Sequence, residues 1–183
     1  ALGEEHPDYA NSLMSLGVLY FDLGDYKAAE PYYKQALEIE KKALGEEHPA
    51  YAMSSFNLGV LYCQIGDYKS AEPYLIQALE ILMKALGEEH PDYAKSINNL
   101  GNLYFDLGDY KAAEPLYKQA LEIHRKTIGE EHPNYARSLN NLGNVYLKMG
   151  DYKAAEAYYK QALEIEKKAL GEEHSDYASS LNN

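Results

Sequence analysis

Cysteine occurs once in the 183 residues, tryptophan not at all, and phenylalanine three times. The single Cys63 cannot pair within the chain, which agrees with a reducing compartment, although a secreted protein without disulfides would look the same. No apolar run approaches the roughly 20 residues of a transmembrane helix, and the start lacks a basic then apolar leader, so no membrane is expected as partner and a cytoplasmic setting is expected. Basic residues are scarce as well. Seventeen Lys and Arg stand against 29 Asp and Glu, a net charge of −12, which argues against nucleic acid. There is no phosphate-cradling glycine loop, nucleophile elbow or paired-cysteine metal motif. No residue can be nominated for catalysis, so an enzyme, a cofactor and a metal are not expected.

What the sequence has in abundance is tyrosine, 19 of them, and itself. The segment ALGEEHPDYA returns, lightly edited, at Ala1, Ala43, Ala85, Thr127 and Ala169. These returns divide the chain into repeats 1–42, 43–84, 85–126 and 127–168 with a partial fifth at 169–183, read as a single array. Blocks one and three differ at 8 of 42 positions, closer agreement than an ordinary globular core would need. Ten of the acids are the paired glutamates of the recurring GEEH turn, while the fourth block is neutral.

Within block one, Pro7 fixes φ where a helix can begin, and Asp8 is favoured there by the dipole. Tyr9, Leu13, Leu16, Leu19, Tyr20 and Leu23 then follow helical spacing until Gly24 supplies a left-handed stop. Asp25 caps a second helix whose stripe is Tyr26, Ala29, Tyr33, Ala36, Leu37 and Leu44, ended by Gly45. Each repeat therefore reads as a hairpin of a helix A and a helix B. Gly17, Gly59, Gly101 and Gly143 fall inside helix A at a cost of about 1 kcal/mol each, which points to close helix approach, with Ala29 and Ala36 on the partner. Pro31, Pro73 and Pro115 fall inside helix B and predict a slight kink there, absent from the fourth block, which has Ala157.

The string Leu16-Gly17, Tyr20, Gly24, Ala29, Tyr33, Ala36 resembles the signature of tetratricopeptide repeats. It recurs at Leu100-Gly101 to Ala120 and Leu142-Gly143 to Ala162, and block two departs only at Leu75, where an aromatic is usual. The period of 42 in place of 34, with LGEEHPDYA added, resembles the repeats of kinesin light chains and their prokaryotic relatives. That resemblance implies an all-α, right-handed α-solenoid that binds an extended peptide or partner protein in a concave groove lined by helix A. It extends to the cargo-reading repeats and not to the heptad segment that joins the motor.

Near-identical copies show which surface the scaffold leaves free. Asn11, Met53, Lys95 and Arg137 share one helix-A position; Met14, Phe56, Asn98 and Asn140 the next; Ser15, Asn57, Asn99 and Asn141 a third; Val18, Val60, Asn102 and Asn144 a fourth. Their offsets of three, four and seven lie on one helical face. Repeats one and two present Met14, Val18, Phe21, Met53, Phe56, Val60 and Cys63, whereas three and four present Lys95, Asn98, Asn102, Arg137, Asn140, Asn144 and Lys148. Asparagine is a poor helix former, so its recurrence needs a reason: its amide can bond both N–H and C=O of a peptide, with Lys95, Arg137 and Lys148 available for a carboxylate. A polar, basic half-groove continuous with an apolar one is expected. The bland alternative is that this face is merely exposed and drifts.

His6, His48, His90, His132 and His174 lie in turns too far apart to converge, and a structural role beside the helix starts is expected. His124 is expected to be solvated. Ile76, Leu82 and Met83 replace Lys34, Glu40 and Lys41 of block one and predict an exposed apolar patch on helix B. The chain begins and stops part-way through a repeat, as an excised piece of a longer array would, and head-to-tail self-association or a spacer role is the alternative to peptide binding.

Overall fold

The computed structural model describes Gly3 and residues 5–170. Eight helices follow one another, α1 (Pro7–Asp22), α2 (Tyr26–Leu44), α3 (Pro49–Gln64), α4 (Tyr68–Leu86), α5 (Pro91–Asp106), α6 (Tyr110–Thr127), α7 (Pro133–Met149) and α8 (Tyr152–Leu170), with no strand among the described residues. They fall into two compact units, one ending at Gly87 and one starting at Glu88. In the first, α1 pairs with α2, α2 with α3, and α3 with α4; in the second, α5 pairs with α6, α6 with α7, and α7 with α8.

The same few residues set every hairpin. Pro occupies the first turn of each helix A, and the preceding histidine is its cap: Nδ1 of His6, His48, His90 and His132 accepts from the backbone N–H two residues on, at 3.1–3.2 Å. A ring nitrogen thus does the work usually given to Ser, Thr or Asp. At the other end Gly24, at φ +75°, lets the Asp25 N–H reach back to the Tyr20 carbonyl at 2.9 Å, while Asp25 Oδ1 accepts from Ala28 N at 3.1 Å. One aspartate therefore closes α1 and opens α2. Asp67, Asp109 and Asp151 repeat both bonds.

The mid-helix glycines are where the helices of a hairpin touch. A Cβ on Gly101 would stand 2.9 Å from the Tyr117 ring, one on Gly143 2.5 Å from the Tyr159 ring, and one on Gly59 2.8 Å from Leu75. The close approach predicted for these glycines is present, and a tyrosine ring fills the gap in three hairpins and Leu75 in the second. Ala29 and Ala36 are fully buried.

Burial departs from the predicted stripes. Leu13 is buried, but Leu16, Leu19 and Leu23 of the first hairpin are 41%, 52% and 69% exposed. The counterparts of Leu16 and Leu19 in α3, which lies between α2 and α4, are Leu58 and Leu61, both at 0%, while Ile65, the counterpart of Leu23, stays 48% exposed. One helix neighbour covers Leu13; a second is needed to cover Leu16 and Leu19. On helix B, Ile39 is buried against Ala10 and Leu13 of α1, and Glu40 is buried on the side of α2 that meets Ser54 and His48, whereas Leu44 is exposed. The helices run unbroken past Pro31, Pro73 and Pro115.

The expected apolar patch on α4 is not formed. Leu82 is 1% exposed and Ile76 half-buried, leaving only Met83 at the surface, since the register of Leu82 is an interior one, as the burial of Glu40 at the same position shows.

An alanine at Gly143 gains about 1 kcal/mol of helix propensity and drives its Cβ into the Tyr159 ring, an overpacking cost of about 1–3 kcal/mol. Urea denaturation should show Gly143→Ala less stable than the parent, and less stable than Gly101→Ala, where the ring stands farther off.

Candidate functional site

Between α5, the end of α6 and α7, within the second unit, lies a hollow of about 410 Å³. Its wall is built largely of amides: Asn98, Asn99 and Asn102 from α5, Asn134 and Asn141 from α7. Lys95 and Arg137, at equivalent positions of the two helices, bring two cations, and Asp92 the one carboxylate. His124 and Ser138 form part of the lining, with Thr127 and Ile128 at the turn after α6.

Four of the residues expected on this face, Lys95, Asn98, Asn102 and Arg137, are brought together here. Asn98 Nδ2 bonds back to the Ala94 carbonyl at 3.3 Å, and its Oδ1 is buried with no donor in reach. An acceptor so placed carries a desolvation cost that an incoming N–H would remove once the amide turns toward it. Asn102 Oδ1 accepts from the Tyr117 hydroxyl at 2.6 Å.

Asn140, Asn144 and Lys148 are placed differently. Asn140 Nδ2 donates to Glu166 Oε1 at 3.1 Å, and Asn144 Oδ1 accepts from the Tyr159 hydroxyl at 2.7 Å, so each ties α7 to α8. Lys148 is exposed in the last turn of α7. Asn99 and Asn141 were legible as variable positions on the same face, and the structure adds them to the wall together with Asn134.

The first unit carries the apolar set. Val18 is 42% exposed, and Met14, Met53, Val60, Phe21 and Cys63 are half-buried, but Phe56 at 3% belongs to the core and offers nothing to a ligand. Met14 Sδ accepts from the buried Ser54 hydroxyl at 3.1 Å.

His124 is not the solvated residue its sequence position suggested. Half-buried, it places Nδ1 2.8 Å from Ser138 Oγ. Burial foremost, then the charges of His132 and Arg137, push its pKa below the ordinary histidine value. Its counterpart in block one, Glu40, is 2% exposed, with Oε2 unpaired; burial holds its pKa up, opposed by the Ser54 hydroxyl and His48. Block four has Glu166 there, 4% exposed.

Comparison with known proteins now decides the family. The tetratricopeptide repeat model matches residues 8–84, 61–126 and 92–168. The chain belongs to the tetratricopeptide repeat family. Its structure superposes on that of a Podosopora anserina putative kinesin light chain with nearly identical TPR-like repeats, at 30% identity and a TM-score of 0.83, covering 96% of this chain and 83% of that one. BtubC (BKLC) from P. vanneervenii is similar at 29% identity and a TM-score of 0.83, over 92% and 67% of the two chains. No curated protein matches the sequence. Hairpins of this tetratricopeptide, kinesin-light-chain-like kind make an α-solenoid scaffold for protein interactions. No helix among the described residues is long and apolar enough to cross a membrane, and none of their His, Cys, Asp and Glu side chains cluster as three or more around a metal-sized space.

Glu40 yields a pH-dependent prediction. Because burial raises its folded pKa above the unfolded one, the cost is felt in full above the folded value and fades as pH falls toward the ordinary carboxylate range. Glu40→Leu, which copies Leu82, should stabilise the protein by about 1–2 kcal/mol at neutral pH, with the gain shrinking on acidification in parallel urea titrations.

Proposed function

We propose that the chain is a peptide-binding module, and that the face shared by α5 and α7 holds an extended segment of a partner protein by its backbone and by an acidic side chain. The observation that carries this is the second unit's hollow, where five asparagines and two cations converge in a chain that is otherwise acidic. Amides suit a backbone because each offers a donor and an acceptor, and an extended strand presents both at regular spacing. Lys95 and Arg137 suit a carboxylate, Arg137 with a planar fork that can bond it twice. The first unit, taken by itself, offers an apolar face of Val18 with the half-buried Met14, Met53 and Val60; the ligand class read from the hollow is an extended segment with acidic residues. Catalysis is outside this reading: the hydroxyl that meets a base, Ser138 Oγ at 2.8 Å from His124 Nδ1, is buried in the contact between α6 and α7.

A peptide-library selection on the whole chain should return sequences with acidic residues. The double variant Lys95→Gln, Arg137→Gln should weaken a selected peptide about tenfold or more, and Asn98→Ala a few-fold, as read by isothermal titration. Affinities unchanged in both variants would leave the hollow without a role.

A second reading, head-to-tail self-association as in a structural spacer, is favoured by the exposed side of α1. In block three, Ala113 and Tyr117 of α6 are covered by Leu142 and Val145 of α7, with Tyr110, Leu121 and Tyr146 packed around them. The same register of α8, Tyr152, Ala155, Tyr159 and Leu163, lines an open hollow of about 280 Å³. Helix α1 carries Leu16, Leu19 and Tyr20 at the covering positions, with both leucines exposed. The α1 of a second copy fits that register, in a heterologous contact that does not close. Sedimentation should show mass rising with concentration, and Leu19→Glu should hold the protein monomeric; a parent that stays monomeric at high concentration rules this reading out.

A further inference from the structure

One helix-B position carries Glu40, Leu82, His124 and Glu166 in the four blocks, and only His124 both lines the hollow and changes charge near neutral pH. Its partner makes that change tolerable. Ser138 Oγ stands 2.8 Å from His124 Nδ1 and 3.3 Å from the Asn134 carbonyl oxygen. A hydroxyl can give or accept. With the imidazole neutral, Ser138 can donate to Nδ1; with it protonated, Nδ1 donates to Ser138, whose own proton turns to the Asn134 carbonyl. Neither state strands a polar atom, so the ring can gain a proton without disrupting the contact between α6 and α7.

The charged and titratable groups around the ring come from both flanking helices: Asp92 and Lys95 from α5, Arg137 from α7 and His132 at its cap. The balance is cationic; burial foremost, then His132 and Arg137, disfavours a proton on the imidazole. An anion in the hollow reverses the balance. Glu40 and Glu166 at the equivalent positions would repel such a ligand and Leu82 would be indifferent to it, so this position distinguishes one step of the scaffold from the next.

We infer that His124 is a specificity-determining residue of this hollow: by gaining a proton it adds a third cation beside Lys95 and Arg137 and tightens the hold on a peptide carboxylate. The inference rests on the peptide-binding reading above. It gives the site a pH dependence that the cations cannot supply, because Lys and Arg stay charged throughout the range.

The test uses the full chain and a rhodamine-labelled peptide of three Gly-Glu pairs, with a Gly-Gln counterpart, followed by fluorescence anisotropy at pH 7.5 and pH 5. The glutamates remain mostly ionised at the lower pH. The Glu peptide should bind about five-fold more tightly at pH 5, the Gln peptide equally at both, and His124→Gln should flatten the Glu-peptide ratio to about one. His132→Asn, which preserves a helix cap, should keep the step. By linkage, the Glu peptide should move the His124 ring titration, followed by NMR, to higher pH. An undiminished step in His124→Gln, or a ring titration that ignores the peptide, overturns the role of His124 and leaves peptide binding standing. No binding at either pH overturns both.

Discussion

Every hairpin depends on a stretch of helix backbone bare of side chain with a neighbour's ring, or Leu75, lying in the gap. Tyr117 on Gly101 and Tyr159 on Gly143 fix how near the two helices come and how they are turned about their axes. A glycine in mid-helix is locally unfavourable, so the contact has to return more than it costs, and a nearly buried tyrosine ring does so through its area alone. The ring then does a second thing. Lying across Gly101, it delivers its hydroxyl to Asn102, one residue on, and Tyr159 does the same for Asn144 across Gly143. Two of the asparagines whose presence on a helix needed explaining are therefore acceptors for tyrosine hydroxyls of the partner helix. In block one the residue at that position is Val18, which cannot accept from Tyr33.

With the hairpin fixed from within, the join between hairpins is made at the edges. Tyr62 of α3 donates to Glu30 of α2 at 2.8 Å while Lys34 holds the same carboxylate at 2.6 Å, and Tyr146, Glu114 and Lys118 repeat the arrangement in the second unit. Stacked tyrosines lie beside these bonds, Tyr62 on Tyr74 and Tyr146 on Tyr158. Each tyrosine sends an apolar body inward and a hydroxyl to the margin, so one residue type serves both core and edge. That accounts for a chain rich in tyrosine and able to do without tryptophan.

The order of helices, their stops and the glycine contacts were legible in the sequence because each is a local device: Pro at the start, Gly at a positive φ, Asp between two helices, a bare position at fixed spacing. What escaped was decided by the third helix in each neighbourhood. Periodicity assigns a helix B one buried stripe, the one that meets its own helix A, whereas α2 and α6 bury a second side against the helix that follows. Glu40 and His124 lie on that second side and Leu82 shares their position in the repeat, which is why an acid could be taken for a surface residue, a leucine for part of a patch and a histidine for a solvated one. Phe56 was misplaced for the converse reason. It shares a position with Asn98 and Asn140, which stay half-buried, and a ring at that position sinks into the core.

The contrast between the hollow and the whole chain bears on what can be recognised there. A net charge of −12 repels an acidic ligand at long range, yet physiological salt screens exposed charges beyond about 8 Å. Inside the hollow the nearest charges are Lys95, Arg137 and Asp92, and they govern. A ligand with a few carboxylates at the right spacing gains from those cations, whereas a uniformly anionic polymer would gain the same local contacts and meet repulsion along the rest of its length. An acidic body around a basic hollow therefore favours short acidic segments over polyanions, with selectivity set by the placement of two cations and not by their number.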